Sequence, residues 1–392
     1  MSVMPSLSRA TPPSLSPRTR TSAWASLRRV VRDLALPAAL LGAVLLAPTV
    51  LAQTTAPATP AAPAPGAASD PSKDNAGRAV FVRGLVSAKA GALQRAVNAR
   101  DPIFRQDTVE AGAKASARFV MRDKSMLALQ PGTTISIAEY NFETGNPGAD
   151  RMVTGVVKGS LRALTGLVDK RNKEAVLLKT QIATIGVRGT AIRVEFFADG
   201  HQEITFDIGK GYVENLAGRV DVEEGFSARV IDANTLPELF KKPLDPNDPV
   251  ALARRLAGMS AEDAEEEARR LAGLVADDEL IVLLGMLDQL PEIEQEEMLG
   301  ILEGLMRGNP DLAPALILTA VRLHQEVAAL ILERAVEAGL EVSLVLHEVL
   351  RALETPTKTE IDLVLIQAVQ EGISMEGAQA VLQQLRDAGL CD

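Results

Sequence analysis

The sequence predicts a multidomain chain in which an all-β module of many short strands is followed by an all-α tail of helical-repeat or bundle type. Three observations carry that reading. Apolar and polar residues alternate with period two from about residue 78 to 235. Helical spacing replaces the alternation from about residue 250 to 392. Ahead of both, six arginines precede Leu34 to Ala52, a run without a single charge.

That N-terminal run reads as a leader. Arg9, Arg18, Arg20, Arg28, Arg29 and Arg32 give a positive stretch, and an apolar stretch follows it. Val50-Leu51-Ala52 ends in a small residue with Val two places before it, so cleavage is expected between Ala52 and Gln53. The alternative is an uncleaved anchor, because 19 apolar residues are just enough to span a bilayer. Pro37 and Pro48 weaken such a helix. Residues 53–77 are rich in Pro, Ala, Ser and Thr and lack apolar periodicity. Such a segment buries too little surface to offset its ordering entropy, so a disordered linker is expected.

From residue 78 the pattern is that of strands. Ala79-Val80-Phe81-Val82 opens it. Ala117 to Met121 and Met126 to Leu129 flank a charged turn, Arg122-Asp123-Lys124-Ser125. Gln130-Pro131-Gly132 is the next turn, and Thr134 to Ala138 alternates again. Further strands are expected at 156–157, 160–164, 176–178, 192–196, 203–208 and 211–215. No helical stretch of 10–15 residues interrupts them, which argues against a parallel βαβ sheet.

The stretch Thr180-Gln181-Ile182-Ala183-Thr184-Ile185-Gly186-Val187-Arg188-Gly189-Thr190 resembles the core of the FecR domain. The order around it is similar as well: Gly84-Leu85-Val86, the charged-turn hairpin from Met121 to Leu127, a Pro-Gly turn, Val157 to Leu161, then Lys210-Gly211-Tyr212-Val213. Ala191-Ile192 departs from the Glu-Phe more usual after the threonine. The resemblance covers residues 78–235 and implies a periplasmic module that takes part in signal transduction. In the iron-regulator branch a cytoplasmic segment controls a sigma factor, and residues 1–33 are too short and too rich in Ser, Pro and Arg to fold as one.

Read from its residues, the motif Gly186, Val187, Arg188, Gly189, Thr190 points to a structural role. Its glycines permit backbone conformations that other residues avoid. Val187 alternates inward, Arg188 suits a carboxylate or carbonyl partner, and Thr190 suits a local backbone bond. A phosphate-binding loop would need four residues between the glycines and a Lys-Ser/Thr after them.

Pro237, Pro243, Pro246 and Pro249 mark a boundary, and residues 236–249 read as a linker to an acidic helical domain, 250–392. Helix starts are signalled at Ser260, Asp277-Asp278-Glu279, Pro291, Asn309-Pro310, Thr357 with Glu360, and Ser374. Stops fall at Gly273, Gly308, Gly339, Pro356 and Gly372. Leu256, Leu271, Met286, Ile301, Leu316, Ile331, Leu346 and Ile361 lie 15 apart, and seven apolar residues follow four places later, from Val275 to Leu365. Such i, i+4 pairs share one helix face, as in a stack of short helices.

Composition narrows the function. Residues 251–392 hold 27 acids and 10 bases, a charge of −17, and residues 1–52 carry +5. With a net −10 for the whole, residues 53–250 are left near +2. Such a body and tail offer no basic face for nucleic acid. His201, His324 and His347 are isolated, the acids from Asp221 to Glu224 read as a solvated turn, and Asp245-Pro246-Asn247-Asp248 lacks the glycine and glutamate of a calcium loop. No catalytic residue, metal site or cofactor is expected, and Cys391 has no partner for an intramolecular disulfide. The function expected is an exported, non-catalytic envelope protein of the periplasm or the secreted fraction. It would bind a protein or cell-envelope component, with no membrane span once the leader is cleaved. The alternative is a membrane-anchored periplasmic sensor.

Overall fold

Two long strands organise the β part. In the computed structural model, which describes residues 75–143 and 145–389, β12 (Thr184–Phe196) and β13 (Gln202–Asn215) form a hairpin running almost the length of the module. The expected leader, its cleavage point Ala52/Gln53, the linker up to residue 74 and Cys391 lie outside the described residues. Both strands bend at the same level. The register breaks between Arg188 and Ala191, and Gly189 and Gly209 on the two strands both adopt positive φ, 66° and 76°.

On either side of the bend the hairpin joins a different set of strands. The first half of β12 pairs with β11 (Val176–Lys179), and the second half with β10 (Ser160–Leu164). Beyond β11 come β9 (Arg151–Lys158), β8 (Thr134–Asn141), β5 (Thr108–Ala111), β2 (Val86–Ala90) and β3 (Leu93–Ala96). Beyond β10 come β7 (Met126–Leu129), β6 (Ser116–Met121), β1 (Asn75–Arg83) and β4 (Pro102–Phe104). On the outer side of β13, β14 (Gly218–Val222) pairs with its second half and β15 (Phe226–Val230) with its first, and β16 (Glu238–Lys241) adds to β15. The result is one many-stranded curled sheet. Its inner face holds a core that includes Phe119, Leu127, Leu129, Leu161, Ile192, Val194, Ile204 and Phe206.

The pairing of β9 with β11 is parallel, in a sheet whose other pairings among the described residues are antiparallel. The chain between them spans 17 residues and includes β10 and the five-residue helix α1 (Leu167–Arg171), which is long enough for a crossover. Strands β2 to β5 and β14 to β16 are only three to five residues long, which leaves too short a run for the pattern to single them all out. β3 and β16 are short and mostly exposed on both faces.

The strands of the β10 side are buried on both faces. Along β6, Ala117, Phe119 and Met121 point to the inner core, whereas Arg118 and Val120 point the other way and are equally buried. Met126, Ala128, Leu164 and Ala191 share that outer face. Helices cover it.

Among the described residues nine helices follow: α2 (Pro249–Ala257), α3 (Ala261–Ala272), α4 (Asp277–Leu287), α5 (Gln295–Gly308), α6 (Ala313–Leu323), α7 (Ala328–Glu337), α8 (Val342–Ala352), α9 (Lys358–Gln370) and α10 (Met375–Asp387). Ser260, Thr357 and Ser374 cap α3, α9 and α10, and Thr357 with Glu360 forms the expected capping box. Pro291 falls instead in the turn before α5, which starts four residues later behind Glu294. Alternate helices pack side by side, so α2, α4, α6, α8 and α10 form one row and α3, α5, α7 and α9 another. The eight residues spaced 15 apart are all buried, because one helix and its connection take about 15 residues and each repeats the same inward position.

Two devices set the spacing of these helices. In α5, a Cβ on Gly304 or Gly308 would stand 2.2 or 2.3 Å from the Glu265 or Arg269 carbonyl oxygen of α3. Ala268 and Ala272 line the facing side. The two backbones therefore touch through a seam of small residues. Helix α4 is apolar all round, with every residue from Leu280 to Leu287 buried. It packs on the sheet with α2 and α6 on either side, and Gly285 meets Met126 and Leu164 where a side chain would collide.

Candidate functional site

The residues that carry chemistry gather where the helices meet the sheet. Arg118 of β6, Arg162 of β10 and Arg193 of β12 stand on the outer face of adjacent or nearly adjacent strands, with Asp207 of β13 beside them. Period two dictates this. Each lies one residue away from a member of the inner core, so each points at the helices. Arg83, at the end of β1, joins from the rim.

The helix starts supply the opposite charge. Asp248 caps α2, its carboxylate accepting from the Val250 backbone N–H at 3.0 Å. Asp278 and Glu279 occupy the first turn of α4, where the helix dipole favours acids. Arg118 donates from Nη2 to Asp278 at 2.8 Å and from Nε to the Asp278 carbonyl at 3.0 Å. Its Nη1 reaches the Leu129 carbonyl at 2.8 Å, so this fully buried guanidinium is bonded on every side. Arg162 bonds Asp248 at 2.6 Å and approaches Glu279 at 3.5 Å. Arg193 bonds Asp207 at 3.0 Å and Asp248 at 3.2 Å. Arg83 approaches Asp278 at 3.5 Å.

Four guanidinium groups thus face four carboxylates, a neutral set with Arg118 at its buried centre and Arg83 at its exposed rim. Burial pulls the Arg118 guanidinium below its ordinary value, and Asp278 and Glu279 oppose that pull. Burial raises Asp207, opposed by Arg193 and Arg162. For Arg193 burial acts downward, but Asp207 and Asp248 outweigh it and hold the group above its usual value. Every carboxylate in the set already has a guanidinium partner. Among the described residues, no group of three or more His, Cys, Asp and Glu is placed to hold a metal ion.

The expected motif lies elsewhere, on the bend of β12. Gly186 sits against the ring of Tyr212, whose Cε1 would be 1.9 Å from an added Cβ. Val187 is buried in the inner core. Arg188 forms a partly exposed ion pair with Glu174. Gly189 lies beside Asp169 of α1, whose carboxylate burial pushes up while Lys173 and the Gly189 backbone pull it down. Thr190 continues the strand through the bend.

A second buried acid holds the charged turn. Asp123 accepts from the Ser125 hydroxyl at 2.6 Å and the Tyr140 hydroxyl at 3.1 Å, and burial raises it against those bonds. Among the other expected positions, Asp221 pairs with Arg219 and Glu224 with Arg254, so the turn acids hold local cations. His201 stacks on Phe197, and His347 lies beside Glu348. His324 lies between Asp288 and Glu326. Burial would lower it, but hydrogen bonds to those carboxylates lift it to about 9.

The junction set was missed in the sequence, although a signal existed. Arg118, Arg162 and Arg193 interrupt apolar strands on the same side as Val120, Leu164 and Ala191. A face that mixes arginine with branched apolar residues is a face that will be covered.

The architecture defines a class: a curled β module with a helical array closed over one face. Residues 107–214 match the family described as FecR protein, which takes in the bend motif, the charged turn and most of β13. Two crystal structures of a candidate anti-sigma factor from Parabacteroides distasonis ATCC 8503 also align. Both have a TM-score of 0.28, at 17% and 16% identity, over 36% of this chain and 61% of theirs. The chain therefore spans about three fifths of the length of those structures. No curated protein matches it. Among the described residues no single helix is long and apolar enough to cross a membrane. The stretches Pro310–Leu323 and Gln325–Glu337 pass together only as a pair bent by 114°.

Proposed function

We propose that this protein is an exported, non-catalytic FecR-domain protein that works in the cell envelope as a protein-binding scaffold. The observation that carries the reading is the FecR match over residues 107–214, whose most characteristic residues lie at a strand bend. On this reading Gly186 and Gly189 let β12 leave one set of strands for another, and Arg188 pins the bend to Glu174. The densest charge cluster is consumed in holding helices to sheet, which favours recognition by outer surfaces over chemistry in a cleft.

A second reading is a membrane-anchored periplasmic sensor, favoured by the charge-free run Leu34 to Ala52. Mass spectrometry of the mature N-terminus after cell fractionation separates the two. A chain beginning at Gln53 in the periplasmic or secreted fraction supports the scaffold. An intact chain in the inner membrane overturns it in favour of the sensor.

A further inference from the structure

Strand β14 ends the sheet beyond β13, and among the described residues it pairs with β13 alone. It follows β13 through a two-residue turn, Leu216-Ala217, with Asn215 opposite Gly218. In such a hairpin Gly218, Val220 and Val222 turn their backbone groups inward to β13. Arg219 and Asp221 then aim their N–H and C=O groups outward, to the free edge. Edge strands with unpaired groups are templates for another strand.

The side chains decide which strand fits. Arg219 and Asp221 stand two apart on one face and are bonded to each other at 3.0 Å, with Arg219 stacked on Tyr212. They flank Val220 symmetrically with opposite charge. A second β14 laid antiparallel, with a two-fold axis through Val220, places Arg219 opposite the partner's Asp221 and Asp221 opposite the partner's Arg219. The same register makes the four outward-facing residues into two fully hydrogen-bonded pairs. A shift to centre on Arg219 or Asp221 would oppose like charges. At the hairpin tip Leu216 is 83% exposed, next to the site where the partner would lie.

We propose that β14 is a homodimer edge: two copies of this chain join β14 to β14 antiparallel about Val220 and continue one sheet through both. The partner is specified by charge, because the edge is complementary to itself. The proposal concerns the assembly of the chain and does not depend on the scaffold reading.

The test uses the full chain with Cys391→Ser. Val220 of each copy forms a non-hydrogen-bonded pair at the axis, with Cα atoms about 4.5 Å apart, close enough for a disulfide. Val220→Cys is expected to give a covalent dimer on mild oxidation. Sedimentation of the chain without that cysteine is expected to show a reversible dimer. Arg219→Asp should weaken it at least about tenfold, and Arg219→Asp with Asp221→Arg should restore it. Both changes lie on the outer edge, and circular dichroism checks that the variants fold. A monomer at every concentration overturns the proposal. So does a dimer indifferent to the charge reversal, or the failure of Val220→Cys to cross-link.

Discussion

The sheet and the helical rows solve the same packing problem by different means. The sheet places charge on a face that will be buried and neutralises it from outside. The helical rows keep most of their charge outward, with Arg322, Glu303 and Glu348 as buried, ion-paired exceptions, and α3 and α5 bring their backbones together through glycine and alanine. The difference follows from geometry. A strand presents two faces in strict alternation, so a sheet covered on both sides needs two full sets of inward residues. A helix needs only one stripe, and its ends carry dipole charge that can be used elsewhere. Here Asp248, Asp278 and Glu279 serve both ends at once: they stabilise the starts of α2 and α4 and neutralise the arginines of the sheet.

The junction should therefore fail harder than either side. Asp278→Ala leaves Arg118 and Arg83 without their shared carboxylate and should cost about 3 kcal/mol, near the lower end for removing one partner of a buried pair. Glu279 and the carbonyls at Arg118 keep the loss from being larger. Urea unfolding of the variant measures it.

Within the helical rows, Gly304→Leu drives a side chain into the α3 backbone. The expected loss is about 2 kcal/mol, as for overpacking of a close interface. If the cost is negligible, the seam between α3 and α5 does not set their spacing.

The smallest effect concerns pH. His324 is raised from 6.5 to about 9, so its contribution is complete below about pH 6.5 and is lost as pH rises through 9. The site is partly open to solvent, and about 1 kcal/mol is expected after screening. The melting temperature should fall between pH 6.5 and 9 in the native chain, and His324→Gln should flatten that slope.

Much of the architecture was legible. Alternation or short apolar runs between turn residues located strands from β6 to β13, which surround a core of Val, Ile, Leu and Phe. The spacing of 15 found an inward position in each helix from α2 to α9, but none in α10. Caps at Ser260, Thr357 and Ser374 were readable because the bond is local in sequence. The closure of the helices over the sheet was not, since it joins residues such as Arg118 and Asp278 across 160 positions. The parallel pairing of β9 with β11 was hidden for the same reason. Gly186, Val187, Arg188, Gly189 and Thr190 stood out from the sequence, whereas their place at a bend needed the two neighbouring sets of strands.

Sheet and helices are expected to form one cooperative unit through the Arg118–Asp278 junction. Hydrogen exchange on the full chain tests it, comparing the amides of β6 with those of α4. Both should open with the same free energy, and Asp278→Ala should lower both by the same amount. Exchange of α4 at a markedly lower free energy, with β6 untouched by the substitution, would contradict it.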